Sequence, residues 1–203
     1  MKPLFVTGIG TDVGKTVVSA ILVEKLQSDY WKPVQSGDLD NSDTIKVQKL
    51  VSNPVTKFHP EAYRLTQPFS PHKSAAIDGI DINLQAIKLP STSNKLLIEG
   101  AGGLMVPLNK KSLVVDLISH LNAEVILVVR NYLGSINHTL LSIELLKQRN
   151  LPVKGIIFNG KADASSETFI EEYTSIPVLG RIPELEKLDA DVIKDATSYL
   201  SII

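Results

Sequence analysis

The sequence has no cysteine, no excess of either sign of charge and no hydrophobic run long enough to cross a bilayer. Without cysteine there is no disulfide, no thiolate metal site and no cysteine nucleophile, which is compatible with a reducing compartment. Lys and Arg number 21 against 22 Asp and Glu, a formal charge of -1, so no global basic field exists to hold a nucleic-acid backbone. The longest apolar segments, such as Val125 to Val129, fall far short of the roughly 20 residues a membrane helix needs. The opening residues Met1 to Val6 run straight into glycines and leave no room for a signal peptide. A cytoplasmic protein with neither membrane nor nucleic-acid partners is the expectation. A G-x-S-x-G elbow is also missing. His59, His72, His120 and His138 are too scattered for a metal cluster and read as hydrogen-bonded structural imidazoles.

What is present fits one domain spanning 1–203. With 43% hydrophobic and 21% charged residues in 203, the chain can bury a core and still wet its surface. Short Val/Ile/Leu-rich runs alternate with longer amphipathic stretches, the pattern of repeated βαβ units. Strands are predicted at Leu4 to Thr7, Tyr30 to Val34, Leu96 to Glu99, Val125 to Val129, Val153 to Phe158 and Val178 to Leu179. Their continuous apolar character implies burial on both faces of a mainly parallel sheet. The fold class is therefore α/β, doubly wound. Ser52 to Ala76, with four prolines spread through it, reads as a long structured loop.

The strongest chemical signal follows the first strand. Gly8-Ile9-Gly10-Thr11-Asp12-Val13-Gly14-Lys15-Thr16 opens into a helical pattern from Val17 to Leu26. Strand, glycine-rich turn and helix are the context in which backbone N–H groups surround phosphate oxygens; Lys15 can reach the terminal phosphates and Thr16 can place its hydroxyl on Mg²⁺. Five residues separate Gly8 from Gly14, one more than the standard four, so the loop is a variant. A dinucleotide fingerprint fails because Val13 occupies the third glycine position and Tyr30-Trp31-Lys32-Pro33 stands where an acidic ribose ligand would be. Mg²⁺ beside a phosphate loop usually needs a carboxylate near a neighbouring strand end. Glu99 closes the run Leu96-Leu97-Ile98 ahead of Gly100-Ala101-Gly102-Gly103 and suits that position. Asp43 precedes an amphipathic stretch and reads equally as a helix-terminus carboxylate.

Seven blocks in order resemble the dethiobiotin synthetase family: the loop from Thr7 to Thr16, Lys32 to Gly37, Asn41 to Asp43, Ser70 to His72, Glu99 to Gly103, Leu133 to His138, and Gly180 to Pro183. The resemblance covers nearly the whole chain and implies a P-loop NTPase fold. It implies ATP as co-substrate with Mg²⁺, 7,8-diaminononanoate and CO2 or bicarbonate as substrates, and a homodimer as the working unit. It makes Lys32 the active-site lysine, with Lys15 and Thr11 also in the chemistry and Ser36 near substrate. ATP would be held by Asp12, Val13, Gly14, Lys15, Thr16 and Val17, with Asp43, Glu99, Gly100, Ala101 and Gly102. Asn159 and Gly160 would meet the adenine, and Pro183, Glu184 and Leu185 would close over it. Thr16, Asp43 and Glu99 would hold the metal. Gly134, Ser135, Ile136 and Asn137 would take the far end of the substrate. Departures are Asp12, where the family more often has glutamate, and the short stretches from Asn159 to Ile176 and beyond Leu185; Tyr173 stays unassigned.

Two other classes compete. A partition or positioning ATPase switch shares a deviant phosphate loop but carries a lysine five residues before the main one, where this chain has Gly10, and no basic amphipathic tail follows Leu185. A GTPase is suggested by Asn159-Gly160-Lys161-Ala162-Asp163, whose inserted glycine spoils the guanine-reading spacing.

Overall fold

The computed structural model describes residues 2–201. Its main sheet has seven strands, all paired in parallel: β1 (Leu4–Gly8), β2 (Asp29–Trp31), β4 (Phe58–His59), β6 (Leu96–Gly103), β7 (Glu124–Val129), β8 (Val153–Asn159) and β9 (Val178–Ile182), in the order β4-β2-β6-β1-β7-β8-β9. Parallel pairing sends every strand's carboxyl end to the same edge. Successive residues face opposite ways, as pleating requires. Phe5 and Ile98 pack toward α4 (Val114–His120) and α3 (Pro71–Asp78). Val6, Tyr30 and Leu97 pack toward α1 (Lys15–Leu26), α2 (Asp43–Leu50) and α7 (Ala190–Ala196). Under α5 (Ser135–Gln148) and α6 (Ala164–Thr174), Leu127, Val129, Ile156 and Phe158 form a third buried cluster. Helices on both faces explain why these strands read as unbroken apolar runs.

Three expectations are corrected. Tyr30 to Val34 is not one strand: β2 ends at Trp31, and Val34–Ser36 forms β3, which pairs with β5 (Tyr63–Leu65) in a separate two-stranded parallel sheet. Pro33 has no N–H for the ladder and restricts Lys32, so the chain leaves the main sheet there. Ser52 to Ala76 is not a plain loop, since it holds β4, β5 and the first turns of α3, where Pro71 takes the first helical position that tolerates proline. The strand containing Glu99 does not stop there; β6 runs on to Gly103.

At the opposite edge from the carboxyl ends, Asp29 is 1% exposed and ties β2 to its neighbours. It accepts from Thr92 Oγ1 (2.7 Å), the Lys57 backbone N–H (3.1 Å) and Asn94 Nδ2 (3.2 Å), and lies 2.9 Å from His59 Nε2. Burial would raise its pKa, but these donors outweigh burial and hold it below the ordinary aspartate value. A depressed native pKa stabilises the fold above the unfolded-state pKa of about 3.9 and loses that contribution as pH falls through the native value. Asp29→Ala is expected to cost about 3 kcal/mol in urea unfolding at neutral pH. The penalty should shrink as pH falls from about 4, where the unfolded chain takes up its proton, through the depressed native value, where the folded carboxylate does; a penalty constant down to pH 2 would contradict this.

Candidate active site

At the carboxyl edge, β1 ends at Gly8 and α1 begins at Lys15. Gly14 is the N-cap of α1, with φ 92° and no side-chain cap, so the first N–H groups of the helix are left for an anion. A Cβ on Gly14 would collide with the Asn159 amide, and one on Gly8 with Val13. The Asn159 amide donates to Val13 O at 3.0 Å and pins the loop to the end of β8, while Lys15 Nζ donates to Gly10 O at 3.0 Å. Burial lowers the pKa of Lys15, an effect partly offset by Glu99.

Beside the loop lies a compact charge cluster. Glu99 is 1% exposed. Its Oε1 accepts from Thr16 Oγ1 (3.0 Å) and Lys32 Nζ (3.1 Å), and its Oε2 accepts from the Tyr30 hydroxyl (3.0 Å). Lys32, 4% exposed, also pairs with Asp43 Oδ2 at 2.5 Å. Sheet register produces this meeting: Tyr30 pairs with Leu97 and Trp31 with Ile98, so Tyr30 shares the face of Glu99 and Lys32 follows at its level. Asp43 is brought in at the first position of α2, which Ser42 caps through its side chain and Gln35 steadies by accepting the Asp43 N–H at 3.3 Å. Burial alone would depress the Lys32 ammonium, but Glu99 and Asp43 outweigh it and hold the pKa above the ordinary lysine value. Burial would likewise raise Asp43, and Lys32 reverses it. Burial, reinforced by Glu99, pushes the Tyr30 phenol well above its ordinary range, so it remains a donor.

These groups open onto a cleft of 720 Å³. Of the residues singled out in the sequence, Thr11, Asp12, Gly14, Lys15, Thr16, Lys32, Ser36, Asp43, Glu99, Ala101 and Gly102 line it. Ser36 Oγ is buried with no hydrogen-bond partner, a hydroxyl free for a ligand. Others fall elsewhere. Val13 is buried against Gly8 and Val17 packs on the core, so their side chains take no part in the cleft wall, and Gly100 sits against the Phe5 ring. Gly160 and Glu184 lie beside Arg130, which donates to Asp12 O at 3.4 Å and pairs with Glu184 at 3.6 Å, while Asn159 stays against Val13 and Gly14 of the loop; Leu185 packs on the neighbouring core. Gly134, Ser135, Ile136 and Asn137 line a separate 960 Å³ cleft at the start of α5. There Gly134, with φ 101°, is the N-cap, so Ser135 does not cap the helix and its first N–H groups have no side-chain acceptor. Tyr173 stacks on Phe169 at 5.6 Å and is 66% exposed.

Sequence reasoning missed Tyr30, Lys46 and Arg130. Lys46 lines the main cleft, 2.8 Å from Asp38 and 3.8 Å from Asp43; its place one helical turn after Asp43 was a usable signal. Tyr30 stands two residues before Lys32 on the same strand face, also readable in retrospect. Nothing local marks Arg130. The four histidines do have ordinary partners: Asp29 for His59, Ser70 for His72, the Ile87 carbonyl for His120 and Tyr132 for His138.

A parallel sheet with a glycine-rich loop leading into an uncapped helix, a buried lysine and a strand-borne carboxylate define a P-loop nucleoside triphosphatase fold. Among solved structures, a ParA family ATPase from Chlorobium tepidum (TM-score 0.58, 16% identity, covering 98% of this chain and 91% of that one) shares it. So does the septum site-determining protein MinD from Pyrococcus horikoshii, at TM-score 0.58 and 15% identity over 98% of this chain and 93% of that one. A family model described as an AAA domain matches residues 2–192. Sequence relatives are far more alike. The ATP-dependent dethiobiotin synthetase BioD of Christiangramia forsetii is 55% identical over 194 residues, 96% of this chain and 93% of that protein. Its namesake from Cytophaga hutchinsonii is 51% identical, covering 95% and 94%. The chain belongs to the ATP-dependent dethiobiotin synthetase family, and is accordingly an ATP-dependent ligase.

Lys32→Ala would leave the buried Glu99 and the largely buried Asp43 facing each other without a cation. Breaking such a pair from one side typically costs about 3 kcal/mol or more. That loss is expected in urea unfolding of the nucleotide-free protein, with partial recovery in Lys32→Met/Glu99→Gln. An unchanged midpoint would mean that solvent already screens the cluster.

Proposed function

We propose that the whole chain acts as one catalytic domain that closes the ureido ring of dethiobiotin from 7,8-diaminononanoate, CO2 and ATP. One substrate amine adds to CO2 and loses a proton, giving a carbamate. A carbamate oxygen then bonds to the γ-phosphorus as the bond to the ADP oxygen breaks. The second amine attacks the carbamoyl carbon, its proton is lost and phosphate leaves. Negative charge develops on carbamate and phosphoryl oxygens, so fixed cations and donors lower the barrier.

The observation that carries the reading is the Lys32 ammonium, buried between Glu99 and Asp43 and sharing a cleft with Lys15, Thr11 and the open start of α1. An ammonium has three donors. Two are engaged by the carboxylates, and the third serves the carbamate. Lys15 leaves the Gly10 carbonyl for the terminal phosphates, Thr11 and Ser36 add hydroxyl contacts, and the N–H groups after Gly14 hold phosphate oxygens. Thr16, Asp43 and Glu99 offer the all-oxygen donor set that suits Mg²⁺, and the Thr16 to Glu99 hydrogen bond already holds two of the three together. Bound there, Mg²⁺ would neutralise charge on the phosphates. Asn159 keeps an amide hydrogen and its carbonyl oxygen for the adenine edge, with Gly160 and the Pro183 to Leu185 segment beside it.

Incubation with Mg-ATP, bicarbonate and 7,8-diaminononanoate should yield the cyclic urea by mass spectrometry, with ADP release dependent on the diamine. Lys32→Ala should lower the rate on the order of a hundredfold or more. Diamine-independent hydrolysis without product would overturn the reading.

The working unit we propose is a homodimer with shared sites. The α5 cleft has no lining residue in common with the phosphate-loop cleft, yet its uncapped helix start suits the substrate carboxylate. Leu133 is fully exposed and Met105 and Leu141 are each 61% exposed, apolar surface that a second copy would cover. Ser135 is buried, so the blocking substitution belongs at exposed Asn137. Mixed after subunit exchange, inactive Lys15→Ala and Asn137→Trp proteins should regain activity through hybrid dimers carrying one intact site. No recovery between exchanged subunits would remove the shared-site proposal.

A further inference from the structure

Tyr30 is fully buried, and its ring packs on Phe58 with centroids 6.0 Å apart. A phenylalanine would pack there as well. What the phenol adds is one hydrogen bond, from its hydroxyl to Glu99 Oε2 at 3.0 Å, while Thr16 and Lys32 both engage Oε1. The Glu99 side chain is 0% exposed, so no bulk water competes for either oxygen. The two oxygens therefore have different duties, and the division is set by strand register, which places Tyr30 on the face of Glu99 one pleat period earlier.

We propose that Tyr30 is a positioning residue that reserves Oε2 of Glu99, so that the carboxylate presents a single oxygen to a divalent cation and the site favours Mg²⁺ over Ca²⁺. This rests on the reading above that Thr16, Asp43 and Glu99 hold the cation. Mg²⁺ is small and demands near-octahedral geometry with single-oxygen carboxylate contacts, whereas the larger Ca²⁺ accepts a carboxylate through one oxygen or both. A hydroxyl that occupies one oxygen removes the two-oxygen mode and with it part of the advantage of the larger ion. Outer partners of metal ligands typically change metal affinity by 10–100-fold.

The test is calorimetric titration of Mg²⁺ and of Ca²⁺ into the full-length protein saturated with a non-hydrolysable ATP analogue, for the wild type, Tyr30→Phe and Glu99→Gln. Tyr30→Phe should weaken Mg²⁺ relative to Ca²⁺ by about tenfold. If the hydroxyl merely satisfies a buried carboxylate, Tyr30→Phe will unfold at a lower temperature yet keep the wild-type Mg²⁺/Ca²⁺ ratio, and the proposal is overturned. Glu99→Gln separates the two levels. An unchanged Mg²⁺ affinity there defeats the assignment of Glu99 to the metal, whereas a loss in Glu99→Gln beside an unchanged ratio in Tyr30→Phe defeats the role of Tyr30 alone. Should Tyr30→Phe fail to fold, a crystal structure of the wild type with Mg²⁺ and the analogue decides the matter: Tyr30 should still donate to Oε2, and a Glu99 turned so that both oxygens face the cation would refute it.

Discussion

The contact on which the site depends is the one between the Lys32 ammonium and the carboxylates of Glu99 and Asp43. Each group comes from a different segment, the residue after β2, the middle of β6 and the first turn of α2, and each would be costly to bury alone. Their mutual neutralisation lets the strands run past one another with polar groups inside the sheet edge. Tyr30 and Thr16 complete the arrangement by giving Glu99 further donors, Thr16 from the first turn of α1. The loop, the sheet and the second helix are thus locked together at one cleft. Gln35 extends the same logic outward, since it bridges the Asp43 N–H and the Gly37 carbonyl and so fastens α2 to the chain leaving β3.

How much of this was legible in the sequence follows the range of the forces involved. The phosphate loop could be read because its requirements are local: glycines where φ is positive or a Cβ would collide, then Lys15 and Thr16 on the first helical turn. Glu99 could be read because an acid inside an apolar strand is conspicuous. Burial on two faces made β1, β7 and β8 plain. By contrast, the split of Tyr30 to Val34 into two sheets turns on Pro33 and on a partner, β5, about thirty residues later. The strands and helix between Ser52 and Ala76 were hidden by prolines that lie outside the strands, with Pro71 at the first position of α3. Tyr30 and Arg130 gain their roles from contacts 69 and 118 residues away in sequence, which no local pattern encodes.

The fold by itself would not have decided the chemistry. ParA and MinD proteins superpose over almost the whole chain at 15 to 16% identity, so the doubly wound sheet and its loop are common property. The discriminating information is in what surrounds the loop. At Gly10 the loop supplies a carbonyl that holds Lys15, and a second buried cation beside the loop is Lys32, the residue that directly follows β2. A lysine one residue past a strand end, locked between two acids, is fixed in the frame of the cleft.

Electrostatics also bears on where a long substrate with a carboxylate at one end can lie. The main cleft already holds Asp12, Asp38, Asp43 and Glu99 against Lys15, Lys32 and Lys46, and a nucleotide would add several negative charges. A further carboxylate in that space would sit among like charges with no cation left over. The start of α5 offers the opposite environment, with unpaired N–H groups, the positive end of a 14-residue helix and no acid in its first turn. In the shared-site proposal, separating the reacting end from the anionic end across two clefts would remove a repulsion that a single cleft could not relieve. An aliphatic chain between amines and carboxylate is the ligand shape that would span them, and the proposed dimer would bury the exposed apolar side chains of Met105, Leu133 and Leu141.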